Sequence, residues 1–319
     1  MNGERPILLE GRGIVKEYPA GRKTIHAVSG VDIALREGET LALVGESGCG
    51  KSTLGRTLIR MTEPDAGQLL FRGKDITKLR GADFAEYRRQ MQLVFQDPYA
   101  SLDPRMTVRD IIAEPIEARR GRPPKDETTQ TVEELMEAVG IPAMYKKRYP
   151  HQFSGGQRQR IGIARAIALH PALIVCDEPV SALDVSVQNQ ILNLLNDIQR
   201  KFGLTYLFIS HDLSVVRFIA DRVCVMFLGK LCEVGNTAEI FENPLHPYTK
   251  FLLRAVPELD PRAREKEAQI LEGEIPSPAQ PPSGCRFHTR CPFADGECSR
   301  EEPKMRAVGG RMVACHKCG

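Results

Sequence analysis

The chain has 319 residues, enough for one large α/β domain with an appendage or for two modest domains. Hydrophobic residues make up 42% and charged residues 27%, which excludes a wholly disordered or fibrous chain. Forty-four Lys+Arg against 41 Asp+Glu leave +3, too small a basic excess to make nucleic acid the default partner.

In chain order, Met1-Asn2-Gly3-Glu4-Arg5-Pro6 has no apolar stretch behind a basic end. No secretory signal is expected, and the expected compartment is the reducing cytosol, where disulfides are disfavoured. Residues 39–44 form a short apolar run entering a glycine-rich turn, and 51–61 read as a helix: strand, loop, helix. A second short strand is predicted at 91–95. Between 96 and 169 helices joined by polar turns, with a basic, proline-broken stretch at 119–125, predict a helical subdomain inserted into a sheet domain. Further strands are predicted at 172–176, 205–209 and 223–228, and together they imply a mostly parallel sheet covered on both faces. The last of these is the longest apolar run, six residues against the roughly 20 that a spanning helix needs. Val187, Ile191, Leu194, Leu195, Ile198 and Phe202 recur at helical spacing and stop at Gly203, a residue suited to a helix end. After Pro257 the chain turns charged and then carries four prolines between Pro276 and Pro282, as linkers do.

Gly45-Glu46-Ser47-Gly48-Cys49-Gly50-Lys51-Ser52 fits the phosphate-loop pattern and stands after a strand and before a helix, as that pattern requires. Its glycines let backbone N–H groups converge on phosphate oxygens, Lys51 can neutralise the β/γ charge, and Ser52 can ligate Mg²⁺, with Thr53 next in the helix. Cys49 sits where backbone dipoles favour a thiolate, so thiol reagents are expected to inhibit the site. The apolar strand 172–176 delivers Asp177 and Glu178 at its end, where α/β sheets place their ligands. Asp177 suits Mg²⁺ and Glu178 suits a base or positioner for an attacking water; a solvated acidic strand end is the bland alternative. Phe153-Ser154-Gly155-Gly156-Gln157 before a helix at 158–169 offers a second anion site, or simply an N-cap and a turn.

At that pentapeptide the sequence resembles the ATP-binding cassette (ABC) ATPases, over roughly residues 7–255 and with several motifs in their expected order. The resemblance implies an ABC-type P-loop nucleotide-binding domain over 1–256, with a RecA-like core and a helical subdomain at about 97–170, plus a Cys-rich extension over 257–319. It further implies that Gln96 touches Mg²⁺ and the attacking water, that Asp184 lies in the loop crossing a cassette dimer seam, and that His211 meets the γ-phosphate. Tyr18 would stack on adenine. The stretch around Asp97-Pro98-Tyr99, the run His246-Pro247-Tyr248-Thr249 and the cysteine tail resemble the ATPase subunits of oligopeptide/dipeptide permeases. The expected cofactors are ATP and Mg²⁺. The expected partners are a second, different cassette (a heterodimer), two transmembrane permease subunits and an extracytoplasmic solute-binding protein, with no nucleic acid. The expected location is the cytoplasmic face of a bacterial inner membrane. Nickel or glutathione import, or a soluble cassette acting on DNA or ribosomes, are the alternatives.

Cys285, Cys291, Cys298, Cys315 and Cys318 crowd the last 35 residues, a segment with too few apolar residues to hold itself together. Spacing alone leaves zinc, an iron–sulfur cluster and a metal-free tail open. The resemblance implies a four-iron four-sulfur cluster on Cys285, Cys291, Cys298 and Cys315, with Zn²⁺ as the alternative.

Overall fold

A computed structural model describes residues 5–118, 124–255 and 274–318. The basic stretch read at 119–125 and the linker read after Pro257 fall mainly on 119–123 and 256–273, outside the described residues. The chain divides into two compact units, one made of Ile7–Leu35, Glu39–Thr77 and Phe208–Gly319, the other chiefly of Lys78–Leu207 with Arg36–Gly38.

The first unit carries a four-stranded antiparallel sheet in the order Lys23–Arg36, Ile7–Ala20, Ala66–Phe71, Lys74–Asp75. Sequence periodicity did not reveal it. Leu8 and Leu9 are both buried, Glu10 and Arg12 then alternate with glycines that carry no apolar side chain, and the register slips between Arg12 and Val15, so no clean apolar alternation survives. In the same unit Thr40–Val44 pairs in parallel with Arg222–Phe227, placing Val44 opposite Val225. Every residue of Thr40–Val44 is buried, as its unbroken apolar run requires of a strand covered on both faces. From there the sheet turns antiparallel: Arg222–Phe227 pairs with Lys230–Asn236, that strand with Arg311–Val313, and the last with Arg306–Val308. Residues 306–313 of the cysteine-bearing tail therefore extend this sheet. Val44, Val225, Phe227, Tyr248 and the tail residue Phe287 share one apolar core.

In the second unit Met91–Val94 and Leu173–Asp177 pair in parallel, with Val94 opposite Cys176. Helix Val108–Glu117 starts where Thr107 accepts the Asp110 N–H, and its buried stripe of Val108, Ile111, Ile112 and Ile116 packs on helices Lys125–Ala138 and Gly155–Ile167. Helix Val185–Phe202 ends at Gly203, whose φ of +65° is the left-handed end expected there. Strand Thr205–Ser210 carries the chain from this unit into the other.

Candidate functional site

The phosphate loop joins the buried strand Thr40–Val44 to helix Lys51–Leu58. Two glycines are obligatory there. A Cβ on Gly45 would stand 2.1 Å from the Met226 carbonyl oxygen and one on Gly50 2.0 Å from that of Ala27, and both residues have positive φ, +154° and +105°. Gly50 is the residue before the helix, so the first helical amides beyond it lack intrahelical acceptors and face the loop. Lys51, 5% exposed, donates from Nζ to the carbonyl oxygens of Gly45 at 2.8 Å and Glu46 at 3.0 Å. A lysine parked on loop carbonyls can exchange them for phosphate oxygens without moving its backbone. Ser47 and Gly48 form the exposed tip, and Ser52 and Thr53 are half-buried in the first turn.

Cys49 differs from its expectation. It is 5% exposed, and burial pushes its thiol pKa up despite the nearby Lys51 ammonium. Desolvation outweighs the helix-start dipole here, which opposes the thiolate expected at this position. His211 is exposed directly after strand Thr205–Ser210 and before Asp212, which caps helix Leu213–Ile219. Tyr18 lies on strand Ile7–Ala20, 36% exposed, with Lys16 Nζ 5.4 Å from its ring centroid.

In the second unit Asp177, 1% exposed, ends strand Leu173–Asp177. Glu178 follows with φ +46°, a left-handed backbone that costs a non-glycine residue on the order of 1–3 kcal/mol and turns its side chain out of the strand line. Gln96 Nε2 donates to Glu178 Oε2 at 2.9 Å, joining two expected site residues 82 positions apart in sequence. Ser154 is the N-cap of helix Gly155–Ile167 in a reciprocal box: its hydroxyl accepts the Gln157 N–H at 3.4 Å, and Gln157 Oε1 accepts the Ser154 N–H at 3.1 Å. A Cβ on Gly156 would meet Val187 Cγ1 at 2.4 Å, so glycine there brings this helix against helix Val185–Phe202. Gly155 lies beside Leu183 and Tyr99, and Arg158 stacks 4.1 Å over the Tyr99 ring. Phe153 is 5% exposed and edge-on to Tyr145, a packing position. Asp184 caps helix Val185–Phe202 through Val187 N–H at 2.9 Å, and the Ser186 hydroxyl at 2.7 Å is the main reason its carboxyl titrates below the usual range.

The expected residues thus fall in two sets: Tyr18, residues 45–53 and His211 in one unit, and Gln96, residues 154–157, Asp177, Glu178 and Asp184 in the other. Sequence reasoning missed two residues that touch the loop. Tyr248 accepts the Glu46 N–H at 2.9 Å, and Arg290 pairs with the Glu46 carboxylate; they lie 202 and 244 positions away from it, and the run His246–Thr249 marked Tyr248 as part of a resemblance without giving it a role in the loop.

In the tail, burial pushes the Cys285 thiol up to about 11, helped by Cys315, Cys298 and Cys291, so the four expected ligands share one neighbourhood. A hydrogen bond with Cys318 holds the Cys315 thiol down to about 6. All nine cysteines are free. Among the described residues no group of three or more His, Cys, Asp or Glu side chains is gathered closely enough to hold a metal ion.

Residues 28–181 match the ABC transporter family and residues 232–298 match the oligopeptide/dipeptide transporter C-terminal region. The oligopeptide transport ATP-binding protein AppF of Bacillus subtilis is 52% identical, covering 97% of this chain and 97% of its own. This chain belongs to the ABC transporter ATPases. OppF of Salmonella typhimurium, an oligopeptide transport ATP-binding protein, is 51% identical over 92% of this ABC ATPase and 89% of its own length. Among solved structures, a dimeric ATP-binding cassette in a post-hydrolysis state bound to ADP and Pi superposes with a TM-score of 0.66. It is 28% identical and covers 72% of this chain and 99% of its own. Among the described residues no helix is long and apolar enough to cross a membrane.

Proposed function

We propose that this ABC ATPase energises the import of di- and oligopeptides, binding and hydrolysing ATP at a seam between two cassettes. The carrying observation is one chain that joins a cassette to the oligopeptide/dipeptide transporter C-terminal region.

The loop glycines and the amides that follow Gly50 form a cradle that suits a triphosphate, and Lys51 moves from the Gly45 and Glu46 carbonyls to its β/γ oxygens. Ser52 and Asp177, with Gln96, would hold Mg²⁺, which when bound neutralises charge on the β- and γ-phosphates. Glu178 accepts a proton from the attacking water, and the Gln96 amide, bonded to its Oε2 at 2.9 Å, orients the carboxylate for that transfer. His211 supplies a donor to the γ-phosphate from a strand end, Tyr18 stacks on the base, and the Ser154 hydroxyl, at a helix start, reaches the ATP held by the phosphate loop of the partner cassette. Gln157 holds Ser154 in place, and Asp184 sets the start of its helix.

The proposed partners are a second cassette of different sequence, two membrane permease subunits reached through the Gln96 region, and an extracytoplasmic solute-binding protein, placing the chain peripherally on the inner face of the membrane. The four-iron four-sulfur cluster is a finer proposal, supported by the shared neighbourhood of Cys285, Cys291, Cys298 and Cys315 and not by their geometry. Iron and sulfide analysis of anaerobically purified protein tests it.

The assembly is tested by purifying the tagged protein from its native membranes in mild detergent and identifying what accompanies it. Two multi-spanning subunits and a second cassette are expected. Ribosomes, DNA-repair proteins or no membrane protein at all would overturn peptide import.

A further inference from the structure

Glu46 is where the cysteine-bearing tail meets the phosphate loop. Its carboxylate accepts Arg290 Nη1 at 2.8 Å and Arg290 Nη2 at 3.2 Å, a two-pronged pair. Its N–H donates to the Tyr248 hydroxyl at 2.9 Å, and its carbonyl accepts Lys51 Nζ at 3.0 Å. One residue therefore carries a tail arginine on its side chain and the loop lysine on its backbone.

Arg290 is itself fixed. It closes the single 3-10 turn His288–Arg290, with its N–H donating to the Phe287 carbonyl at 3.0 Å. Phe287 is 1% exposed, with its ring centroid 5.4 Å from that of Phe227, 5.3 Å from Tyr248 and 6.2 Å from Phe251. The Arg290 guanidinium lies 6.0 Å from the centroid of Phe227, and its side chain is only 6% exposed against 23% for Glu46. A planar fork on a carboxylate, anchored this deeply, restricts rotation in a way that a flexible surface ion pair does not.

We propose that Arg290 is a positioning residue of the ATP site: by gripping Glu46 it keeps the loop amides and Lys51 aimed at the phosphates. The inference rests on the loop being the ATP site. Without the fork, a segment flanked by Gly45 and Gly48, both at positive φ, gains freedom that ATP binding must remove, so the loss falls on affinity. Water attack at Glu178 does not depend on it.

The test measures Mg-ATP binding to the full-length chain by calorimetry, for wild type, Lys51→Ala, Arg290→Ala, Arg290→Lys, Glu46→Ala and the Glu46→Ala/Arg290→Ala double variant. Arg290→Ala and Glu46→Ala are each expected to weaken binding about tenfold, with the double variant no weaker than either. Arg290→Lys, which keeps charge without the fork, should fall between, and turnover of the assembled transporter at saturating ATP should stay within about twofold. If Arg290→Ala does not fold, Arg290→Lys and Glu46→Gln carry the same comparison. Binding unchanged in these variants, or effects that multiply in the double variant, overturns the proposal. If Lys51→Ala itself leaves ATP binding intact, it is the reading of the loop that fails.

Discussion

Glu178 combines a left-handed backbone with a hydrogen bond from Gln96, and both push its carboxylate out of the strand and into a fixed orientation. Replacement by glutamine keeps the shape and removes the proton acceptor. Glu178→Gln in the assembled transporter should therefore lower ATP turnover at least about a hundredfold while leaving ATP binding intact. A variant turning over within about fivefold of wild type would take Glu178 out of that role. Cys49 shows the opposite case at this scale. Its position beside a helix start was legible and pointed to a reactive thiol, yet burial raises its pKa, because a charge in a dry site costs more than a helix terminus returns.

Among the elements, strand Arg311–Val313 is held by a buried charge as well as by its ladder. Glu233, fully buried, accepts the N–H groups of Leu245 at 3.0 Å and His246 at 2.9 Å and pairs with Arg311 at 3.5 Å. Arg311 Nη1 also donates to the carbonyls of Glu239 at 2.8 Å and Asn243 at 2.6 Å. Arg311→Met would leave Glu233 charged in an apolar site, so a loss of about 3–5 kcal/mol in urea unfolding is expected. An unchanged midpoint would mean that Glu233 finds another partner. None of this was visible beforehand, since three-residue strands carry too little pattern to separate from loop.

For the molecule as a whole, the buried His246 links stability to pH. Burial lowers its pKa from 6.5 to about 4, and its Nδ1 accepts the Tyr248 N–H at 3.0 Å, which needs the neutral ring. A hydrogen bond with the Ala314 backbone favours the charged ring but is outweighed by burial, and Glu233, which accepts the His246 backbone N–H, is itself paired with Arg311. Above pH 6.5 folded and unfolded states are both neutral at this site. Between 6.5 and 4 only the unfolded chain takes the proton, so stability should fall across that window by as much as about 3 kcal/mol. His246→Gln should flatten this part of the unfolding profile, and an equally steep acid loss in the variant would assign it to other groups.

The sequence by itself determined the class of chemistry. The phosphate loop, the strand ending in Asp177 and Glu178, the helix opening at Ser154 and the helix closing at Gly203 are local features, in which neighbouring residues meet all the conformational needs of a turn, a cap or a buried strand. Only the tertiary structure decided what depends on distant partners: the Gln96–Glu178 bond, the antiparallel sheet of the amino-terminal strands, the thiol state of Cys49, and a tail that joins the cassette sheet and grips Glu46 through Arg290. Burial and pairing across hundreds of residues arise from how the chain closes on itself, and spacing along the chain does not encode them.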